Sequence, residues 1–423
     1  MELDRSKAPA FKVPEDFVVT DPEKYFLKNG ATLYFFKTPN IRAVKLDVVG
    51  ASGRLNLDLI DQMVPRFCLQ MLLDGTGKHS SEEISDILDF NASEVTPLTS
   101  FSHEGLRLLS TKKQFWNVYP LFLSLFEEAT FPEDFLEKKK SQKKLQLKIE
   151  REKTSSKANQ LFREALFGSQ HPFAFEALED NVDGLTTSKL REYYTNSLWS
   201  ELEIFLSADL TSQELEDLII SLEALPNRKS QPLKEWGLNP ENQRLNITKE
   251  GAMQSSLRMG GPSLPMTHPD FFALSVFNTF LGGYFGSRLI KNIREDKGHT
   301  YGIYSSLQVI DQYDYWMIGA EVQRNFKEEV IFEVKQEIDR LVHEKIDSDE
   351  LETVRNYSIG NMISQFSNSF DLMERFKSVH RNNLSMRFYR DKLAYLKVFT
   401  AEDMLEVGAK YFSQEPEIQI TVG

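Results

Sequence analysis

The chain has little of what most metal and thiol sites need. It holds one cysteine, Cys68, in 423 residues, which excludes an internal disulfide and a cysteine-rich metal site. Its seven histidines include no pair three or four residues apart, so no helix face offers two histidine ligands. The motifs HExxH, CxxC and G-x-S-x-G are absent as well. The sequence therefore shows no familiar hydrolase site of its own.

Long apolar runs and an excess of basic residues are also lacking. No run of about 18 apolar residues occurs, so the sequence predicts no membrane span. The net charge of −13 argues against nucleic acid as the main partner. The composition, 41% hydrophobic and 27% charged, is that of a globular protein. Because 423 residues exceed one ordinary core, we expect two or more domains.

The sequence does not determine the cellular compartment. The first residues, MELDRSKAPAFKVPEDF, are polar and contain proline, unlike a signal peptide with its basic start and apolar core. If they are an extended arm at the mature start of an exported protein, the bacterial periplasm is expected. A single cysteine suits both that compartment and the cytoplasm.

Two local similarities indicate an internal duplication. FPEDFLEK at 131–138 resembles IDSDELET at 346–353, an offset of 215 residues (346 − 131). The run that begins at Leu185 resembles the run that begins at Phe399, an offset of 214 (399 − 185). Two similarities at nearly one offset predict two halves with the same order of strands and helices.

A segment with the composition of a linker lies between the halves. Residues 226–242 are polar, rich in proline and without hydrophobic periodicity. We therefore expect an N-terminal domain at 1–225 and a C-terminal domain at 243–423.

Each half begins with strands that read as a hairpin. In the first half the pattern pairs 24–38 with 42–50, and in the second half a hairpin covers 243–260. One long basic helix is predicted over 133–167. Its lysines are interleaved with acids and read as a solvated helix face. The alternative is that they line a chamber facing an acidic partner or peptide.

One stretch of the second half, Phe280 to Ser306, concentrates candidate chemistry. A bend of small residues precedes a helix over Arg288 to Lys297, and a strand-like run follows. Arg294 and Tyr301 lie seven residues apart across this helix-to-strand corner. Such a corner can direct two long hydrogen-bond donors towards one point. The small residues of the bend are Gly282, Gly283 and Gly286.

This stretch, GGYFGSRLIKNIREDKGHTYGIYSS, resembles the C-terminal-domain signature of the pitrilysin-type (M16) zinc peptidases. That family includes the mitochondrial processing peptidase and the core subunits of the cytochrome bc1 complex. The resemblance implies an α+β fold of two similar domains, each a mostly antiparallel sheet of about six strands packed by helices. This is the M16 peptidase or LuxS-like metallohydrolase fold, which forms half of a clamshell.

The resemblance also implies roles for the residues of the corner. In the family an Arg and a Tyr at this spacing reach a zinc site, bind the substrate carbonyl and stabilise the oxyanion, and Arg294 and Tyr301 match them. Gly282, Gly283 and Tyr284 are then expected to bind substrate. The alternative is that neither residue is functional: Arg294 would be a solvated helix residue and Tyr301 an ordinary strand tyrosine.

The zinc motif that the resemblance implies is degenerate here. Active members carry His-x-x-Glu-His on the first helix of the N-terminal domain. MLLDGTGKHS, from Met71, resembles the segment after that motif, which puts Arg66 and Gln70 at the histidine positions and Leu69 at the general base. A guanidinium repels zinc and a leucine cannot take a proton from water. The third ligand falls near Lys148, with Glu150 close by.

The resemblance then predicts a zinc-less subunit without a cofactor of its own. Some bacterial members divide the work between a zinc-bearing chain and a zinc-less chain that keeps the Arg and the Tyr. We expect a heterodimer with a zinc-bearing homologue, with peptides as substrates. The alternative is a non-catalytic scaffold or peptide-binding protein like the bc1 core subunits, as a homodimer or in another assembly. A third, an independent hydrolase with a different site, requires ligands that the sequence does not display.

Overall fold

A computed structural model of the chain describes residues 19–230, 232, 234–237, 243–310, 313–414 and 416–423. The polar start at 1–17 lies outside the described residues, and so do seven positions of the predicted linker, namely 231, 233 and 238–242. The strands of the described part are β1 (Glu23–Phe26), β2 (Thr32–Lys37), β3 (Ala43–Ala51), β4 (Glu94–Thr99), β5 (His103–Thr111), β6 (Glu203–Ala208), β7 (Gln243–Ile247), β8 (Gln254–Pro262), β9 (Thr300–Gln308), β10 (Tyr315–Gln323) and β11 (Ile418–Val422).

The α-helices of the described part are α1 (Val64–Met71), α2 (Ser81–Phe90), α3 (Phe115–Ser124), α4 (Glu133–Arg151), α5 (Thr154–Phe167), α6 (Glu179–Asp183), α7 (Thr187–Asn196), α8 (Ser212–Leu222), α9 (Phe271–Asn278), α10 (Lys327–His343), α11 (Ser348–Ser364), α12 (Ser369–His380), α13 (Arg387–Val398) and α14 (Ala401–Tyr411). Among the described residues, no helix has both the length and the apolar character that crossing a membrane requires.

The chain divides into two compact units. One holds Pro22–Pro262 together with Glu417–Gly423, and the other holds Ser263–Pro416. The last strand, β11, belongs to the first unit because it pairs there with β7 and β8. The described residues of the predicted linker at 226–242 therefore lie within the first unit, and the domain boundaries 1–225 and 243–423 stay a prediction.

The first unit contains a six-stranded mixed sheet in the order β1-β2-β6-β3-β5-β4. β2 runs parallel to β6, and the other neighbours are antiparallel. β3 is mostly apolar because it lies near the centre of the sheet and is buried along almost its whole length. Its one acid, Asp47, is fully buried and accepts hydrogen bonds from Arg107 Nε and Nη2 at 2.8 and 2.7 Å.

The two predicted hairpins are wrong in their pairing. The Asn29-Gly30 turn joins β1 to β2, with Gly30 at φ +86°, but β6 lies between β2 and β3. β11 likewise lies between β7 and β8, parallel to the first and antiparallel to the second. In both places a strand from far downstream enters between two strands that are close in sequence. Local periodicity does not carry that information.

In both halves a strand from far downstream is inserted between two strands that are close in sequence, as a duplication of the halves would predict. The arrangement β2–β6–β3 has the strand directions of β7–β11–β8, and β5 pairs with β4 as β10 pairs with β9. The second sheet has five strands. The prediction of an α+β fold with two similar sheets packed by helices is confirmed.

The long helix predicted over 133–167 is two helices. α4 ends at Arg151 and α5 begins at Thr154, with Glu152 and Lys153 between them. Lys153 has extended backbone angles, φ −89° and ψ 124°, which interrupts the helical path. After the break α5 packs against β8 and β11, whereas α4 packs against α6.

Candidate functional site

The predicted corner lies in the second unit and is built from two π-helical segments and β9. The segments are Thr279–Gly283 and Ile290–Asp296, so the helix predicted over Arg288–Lys297 exists but is mostly π-helical. Gly298 ends it at φ +65°, a left-handed angle that favours glycine. π-helical turns are rare, and they occur frequently at functional sites.

Gly282 allows the first segment to lie directly against β9. A Cβ atom at this position would be 2.5 Å from the backbone nitrogen of Ser305. Beside it, Asn278 Nδ2 donates to the Ser305 carbonyl at 3.1 Å, and Ser305 Oγ donates to Asn278 Oδ1 at 2.6 Å. These buried bonds fix the bend to the strand, so Gly282 is required for packing at the corner.

The next two predicted substrate residues are closer to the surface. Gly283 is exposed, and Tyr284 is half-buried with its ring centroid 4.6 Å from that of Tyr357. Burial raises the pKa of Tyr284, and the charge of Glu350 raises it further. Tyr284 therefore keeps its phenolic proton at neutral pH and remains a hydrogen-bond donor.

Acidic residues of α10 and α11 hold the second π-helical segment in place. Arg288 Nε and Nη2 donate to the two oxygens of Glu350 at 2.9 and 2.7 Å, a bidentate ion pair. Asn292 Nδ2 donates to Glu333 and Glu337 at 2.8 and 2.7 Å. The segment that carries Arg294 is therefore rigidly supported from one side.

Arg294 and Tyr301 stay outside this network. The Arg294 guanidinium lies 4.8 Å from the ring centroid of Phe285, which is itself 64% exposed, and it has no ion pair with a described residue. Tyr301 stands on β9 with 90% of its surface exposed, and its hydroxyl has no hydrogen bond within the described part of the chain. The corner thus presents two donors that its own unit does not use.

Helix α1 of the first unit carries the positions that the sequence analysis predicts for the degenerate zinc motif. Arg66 is exposed, Leu69 is fully buried in the core, and Gln70 is half-buried. Positions 66 and 70 are four residues apart and share a helix face. Cys68 is fully buried, with Sγ 3.6 Å from the Leu190 carbonyl, and burial raises the pKa of its thiol well above the ordinary value.

Cations that the sequence analysis did not single out surround Arg66. Arg54 Nε donates to Gln62 Oε1 at 2.9 Å, and Gln62 lies two residues before the start of α1, the helix that carries Arg66. Burial lowers the pKa values of Arg54 and of Lys143, and the charge of Arg66 lowers both further. Arg54 and Lys143 therefore each lie within electrostatic reach of Arg66.

Helix α4 carries Lys143. Its Nζ donates to Gln146 Oε1 at 3.2 Å and lies 3.9 Å from a carboxylate oxygen of Glu150. Lys143 and Glu150 are seven residues apart and share a helix face. Lys148, the predicted third-ligand position, is exposed and lies about 200° around the helix from Glu150. The spacing of seven residues between Lys143 and Glu150 was the sequence signal that places Glu150 on the same helix face as Lys143.

A buried carboxyl group lies behind Arg54. Glu104 on β5 accepts a hydrogen bond from the Tyr193 hydroxyl and interacts with Ser52 and the Gly53 backbone. Burial raises the pKa of Glu104 to about 7, although these bonds and the charge of Arg54 act in the opposite direction.

The residues on α1 do not fit a catalytic zinc ion. At the three predicted motif positions α1 carries a guanidinium, a buried leucine and an amide, which supply neither the ligands nor the general base that zinc chemistry requires. Within the described ranges, no three histidine, cysteine, aspartate or glutamate side chains are grouped to hold a metal ion.

Comparison with known proteins shows similarity to the peptidase M16 family. Residues 185–357 match the Peptidase M16 inactive domain. The "Uncharacterized zinc protease YmxG" of Bacillus subtilis (strain 168) is 23% identical over 362 residues, which are 84% of this chain and 86% of that protein. The "Probable inactive metalloprotease YmfF" of the same organism is 22% identical over 234 residues, 55% of this chain and 54% of that protein.

Solved structures agree with the sequence relatives. A peptidase M16 inactive domain from Pseudomonas fluorescens has a TM-score of 0.82 at 19% identity and covers 95% of this chain and 98% of its own. A chain of Complex III2 from Candida albicans has a TM-score of 0.73 at 14% identity, with 95% of each chain covered. The predicted resemblance is confirmed: residues 185–357 match the inactive domain of the peptidase M16 family, and the chain has the fold of the solved M16 structures.

Proposed function

We propose that this chain is the zinc-less subunit of a two-chain M16-type zinc metallopeptidase. One observation carries the proposal. The same chain lacks a zinc ligand set on α1 and retains, on a rigid corner, two donors that its own unit leaves unused. In this proposal Arg294 and Tyr301 act at the zinc site of a partner chain.

The two donors suit the electrostatic demand of peptide hydrolysis. When water attacks a peptide carbonyl, negative charge develops on its oxygen, and fixed donors stabilise that charge more than they stabilise the neutral substrate. A guanidinium offers a permanent charge and a phenol offers a directed O–H. When bound by the partner, zinc would polarise the same carbonyl and activate the water.

The residues that precede Arg294 have a supporting role in this proposal. Gly282 keeps the bend close to β9, which fixes the position from which Tyr301 projects. The exposed backbone of Gly283 and the phenol of Tyr284 would contact the peptide as it enters. The Arg288–Glu350 ion pair holds the segment so that Arg294 needs little reorganisation.

A reconstitution experiment tests the proposal. The chain and an HxxEH-bearing homologue from the same genome are purified separately, analysed for zinc, and assayed alone and mixed on an unstructured peptide. We expect to find zinc only in the homologue, and to find peptide hydrolysis only when the two chains are mixed. Full activity of the homologue without this chain would refute a shared active site.

A scaffold or peptide-binding function is the second candidate. The likeness to a chain of Complex III2, over 95% of each chain, favours it because that protein is part of a multi-subunit assembly. This candidate predicts a stable assembly, with a homologue or as a homodimer. It also predicts that changing Arg294 or Tyr301 alters no activity, so the same reconstituted assay separates the two functions.

A further inference from the structure

We propose that Phe285 is a positioning residue for Arg294, whose guanidinium its exposed ring holds in the conformation that meets a substrate carbonyl. The proposal rests on the shared active site proposed above and adds one residue to it. Phe285 would touch neither the zinc nor the scissile bond, and it would act through Arg294 alone. Three features of the second unit support this role: a fixed turn, an exposed ring and, among the described residues, no hydrogen-bond or ion-pair partner for Arg294.

Phe285 stands on a tight turn whose other residues are fixed. The Ser287 backbone nitrogen donates to the Tyr284 carbonyl at 3.1 Å, which closes the turn around Phe285. The Tyr284 ring packs on Tyr357 of α11, with the two centroids 4.6 Å apart. It also lies so close to Gly286 that a Cβ atom there would meet the ring at 2.8 Å. Because both neighbours of Phe285 are held in this way, the direction in which its side chain leaves the backbone is set.

The Phe285 ring contributes little to the core of the second unit. It is 64% exposed, and within the described part of the chain its one contact with a cation or another ring is the Arg294 guanidinium. The guanidinium carbon lies 4.8 Å from the ring centroid. A cation within about 6 Å of a ring face is attracted by the quadrupole of the ring. The contact with Arg294 is therefore the interaction that this side chain offers.

Arg294 depends on this ring more than another stacked arginine of the same unit depends on its own. Arg355 lies 4.4 Å from the Phe399 ring centroid, but it also donates to Glu352 and to two backbone carbonyls. Without Phe285, no described residue would hold the Arg294 guanidinium through a ring, a hydrogen bond or an ion pair. An arginine side chain that is not held has many rotamers. Phe285 therefore orders Arg294 before the substrate binds, which reduces the reorganisation that oxyanion binding requires.

NMR spectroscopy of the chain alone tests whether the ring orders Arg294. Isotope labelling of the arginine nitrogens gives an Nε signal for each arginine, and Arg294→Lys identifies the one that belongs to Arg294. We expect this signal to show a ring-current shift and the heteronuclear NOE of an ordered side chain. Phe285→Leu should remove both, and Phe285→Tyr should keep both, because tyrosine retains the ring face. The other arginine signals show whether each variant is folded.

Phe332→Leu is the matched control, because Phe332 is 57% exposed on α10 of the same unit and no described cation lies over its ring. It should leave the Arg294 signal unchanged. An Arg294 signal that is also unchanged in Phe285→Leu would overturn the proposal.

Kinetics of the reconstituted pair test what the contact does. Phe285→Leu should lower kcat about fivefold and leave KM nearly unchanged, because the ordered guanidinium matters most in the transition state. Phe285→Tyr should restore the wild-type kcat. In an Arg294→Ala background, Phe285→Leu should cause no further loss, because the ring acts only through Arg294. An unchanged or raised kcat in Phe285→Leu, or a further fivefold loss in that background, would overturn the positioning role.

The outcomes separate this proposal from the proposed function. If hydrolysis by the mixed chains requires Arg294 but neither its NMR signal nor kcat responds to Phe285→Leu, the positioning role is refuted and the shared active site stands. Conversely, if the mixed chains hydrolyse no peptide while the Arg294 signal depends on the Phe285 ring, the result supports the contact that orders Arg294 and refutes only the shared active site.

Discussion

Replacing Glu104 by glutamine should change how the stability of the first unit depends on pH. Glu104 is 2% exposed, and Tyr193 and the Gly53 backbone bind its carboxyl group. Burial nevertheless raises its pKa to about 7, against an ordinary value of 4.5. Glutamine has nearly the same shape and can still accept from the Tyr193 hydroxyl, but it carries no ionisable proton.

The sign and size of the effect follow from proton linkage. Between pH 4.5 and 7 the folded protein holds a proton on Glu104 that the unfolded chain has released, so the free energy of unfolding falls as pH rises through this range. Each pH unit corresponds to about 1.4 kcal/mol. From 4.5 to 7 the wild-type protein therefore loses about 3 kcal/mol relative to the variant.

Urea denaturation of the wild type and Glu104→Gln, followed by tryptophan fluorescence from pH 4.5 to 8, measures the difference. We expect the stability of the variant relative to the wild type to increase by about 3 kcal/mol across this range. Glu94→Gln is the control, because Glu94 is exposed on the neighbouring strand β4, and its profile should run parallel to the wild type. A parallel profile for Glu104→Gln would refute the reasoning.

Two further substitutions, one in each unit, test buried packing and a buried ion pair. Gly282→Ala should destabilise the second unit by about 2 kcal/mol in urea titrations, because the added Cβ would meet the Ser305 backbone at 2.5 Å. Gly302→Ala is the control. A Cβ there has no neighbour within 4 Å, so the unfolding free energy should change by less than about 0.5 kcal/mol. Asp47→Asn should lower the unfolding free energy by about 3 kcal/mol, because the bidentate partner Arg107 would face a neutral group in the core; a change below about 0.5 kcal/mol would contradict this.

The helix-to-strand corner could be predicted from the sequence because its signals are local. Small residues, an amphipathic run, Gly298 and a strand pattern follow one another within 27 residues of the chain, from Phe280 to Ser306. The structure places each in that order. Its π-helical form could not be predicted, because it depends on tertiary contacts such as the fit of Gly282 against Ser305.

The pairing of strands and the placement of Arg54 and Lys143 near Arg66 depend on parts of the chain that are distant in sequence. β6 and β11 enter between strands that lie close together along the chain, so each hairpin prediction failed in the same way. Arg54, Arg66 and Lys143 come from three elements across about 90 residues (143 − 54 = 89), and no local motif links them. The α4–α5 break also escaped prediction, because Glu152 and Lys153 carry no proline or glycine signal.

The turnover number of the reconstituted pair with Arg294→Ala tests the central claim most directly. The matched control is Lys291→Ala, an exposed cation one turn earlier on the same segment. If Arg294 stabilises the oxyanion at the partner's zinc, kcat should fall about 100-fold in Arg294→Ala and stay at the wild-type value in Lys291→Ala. A wild-type kcat with Arg294→Ala in a fully assembled pair would contradict the account.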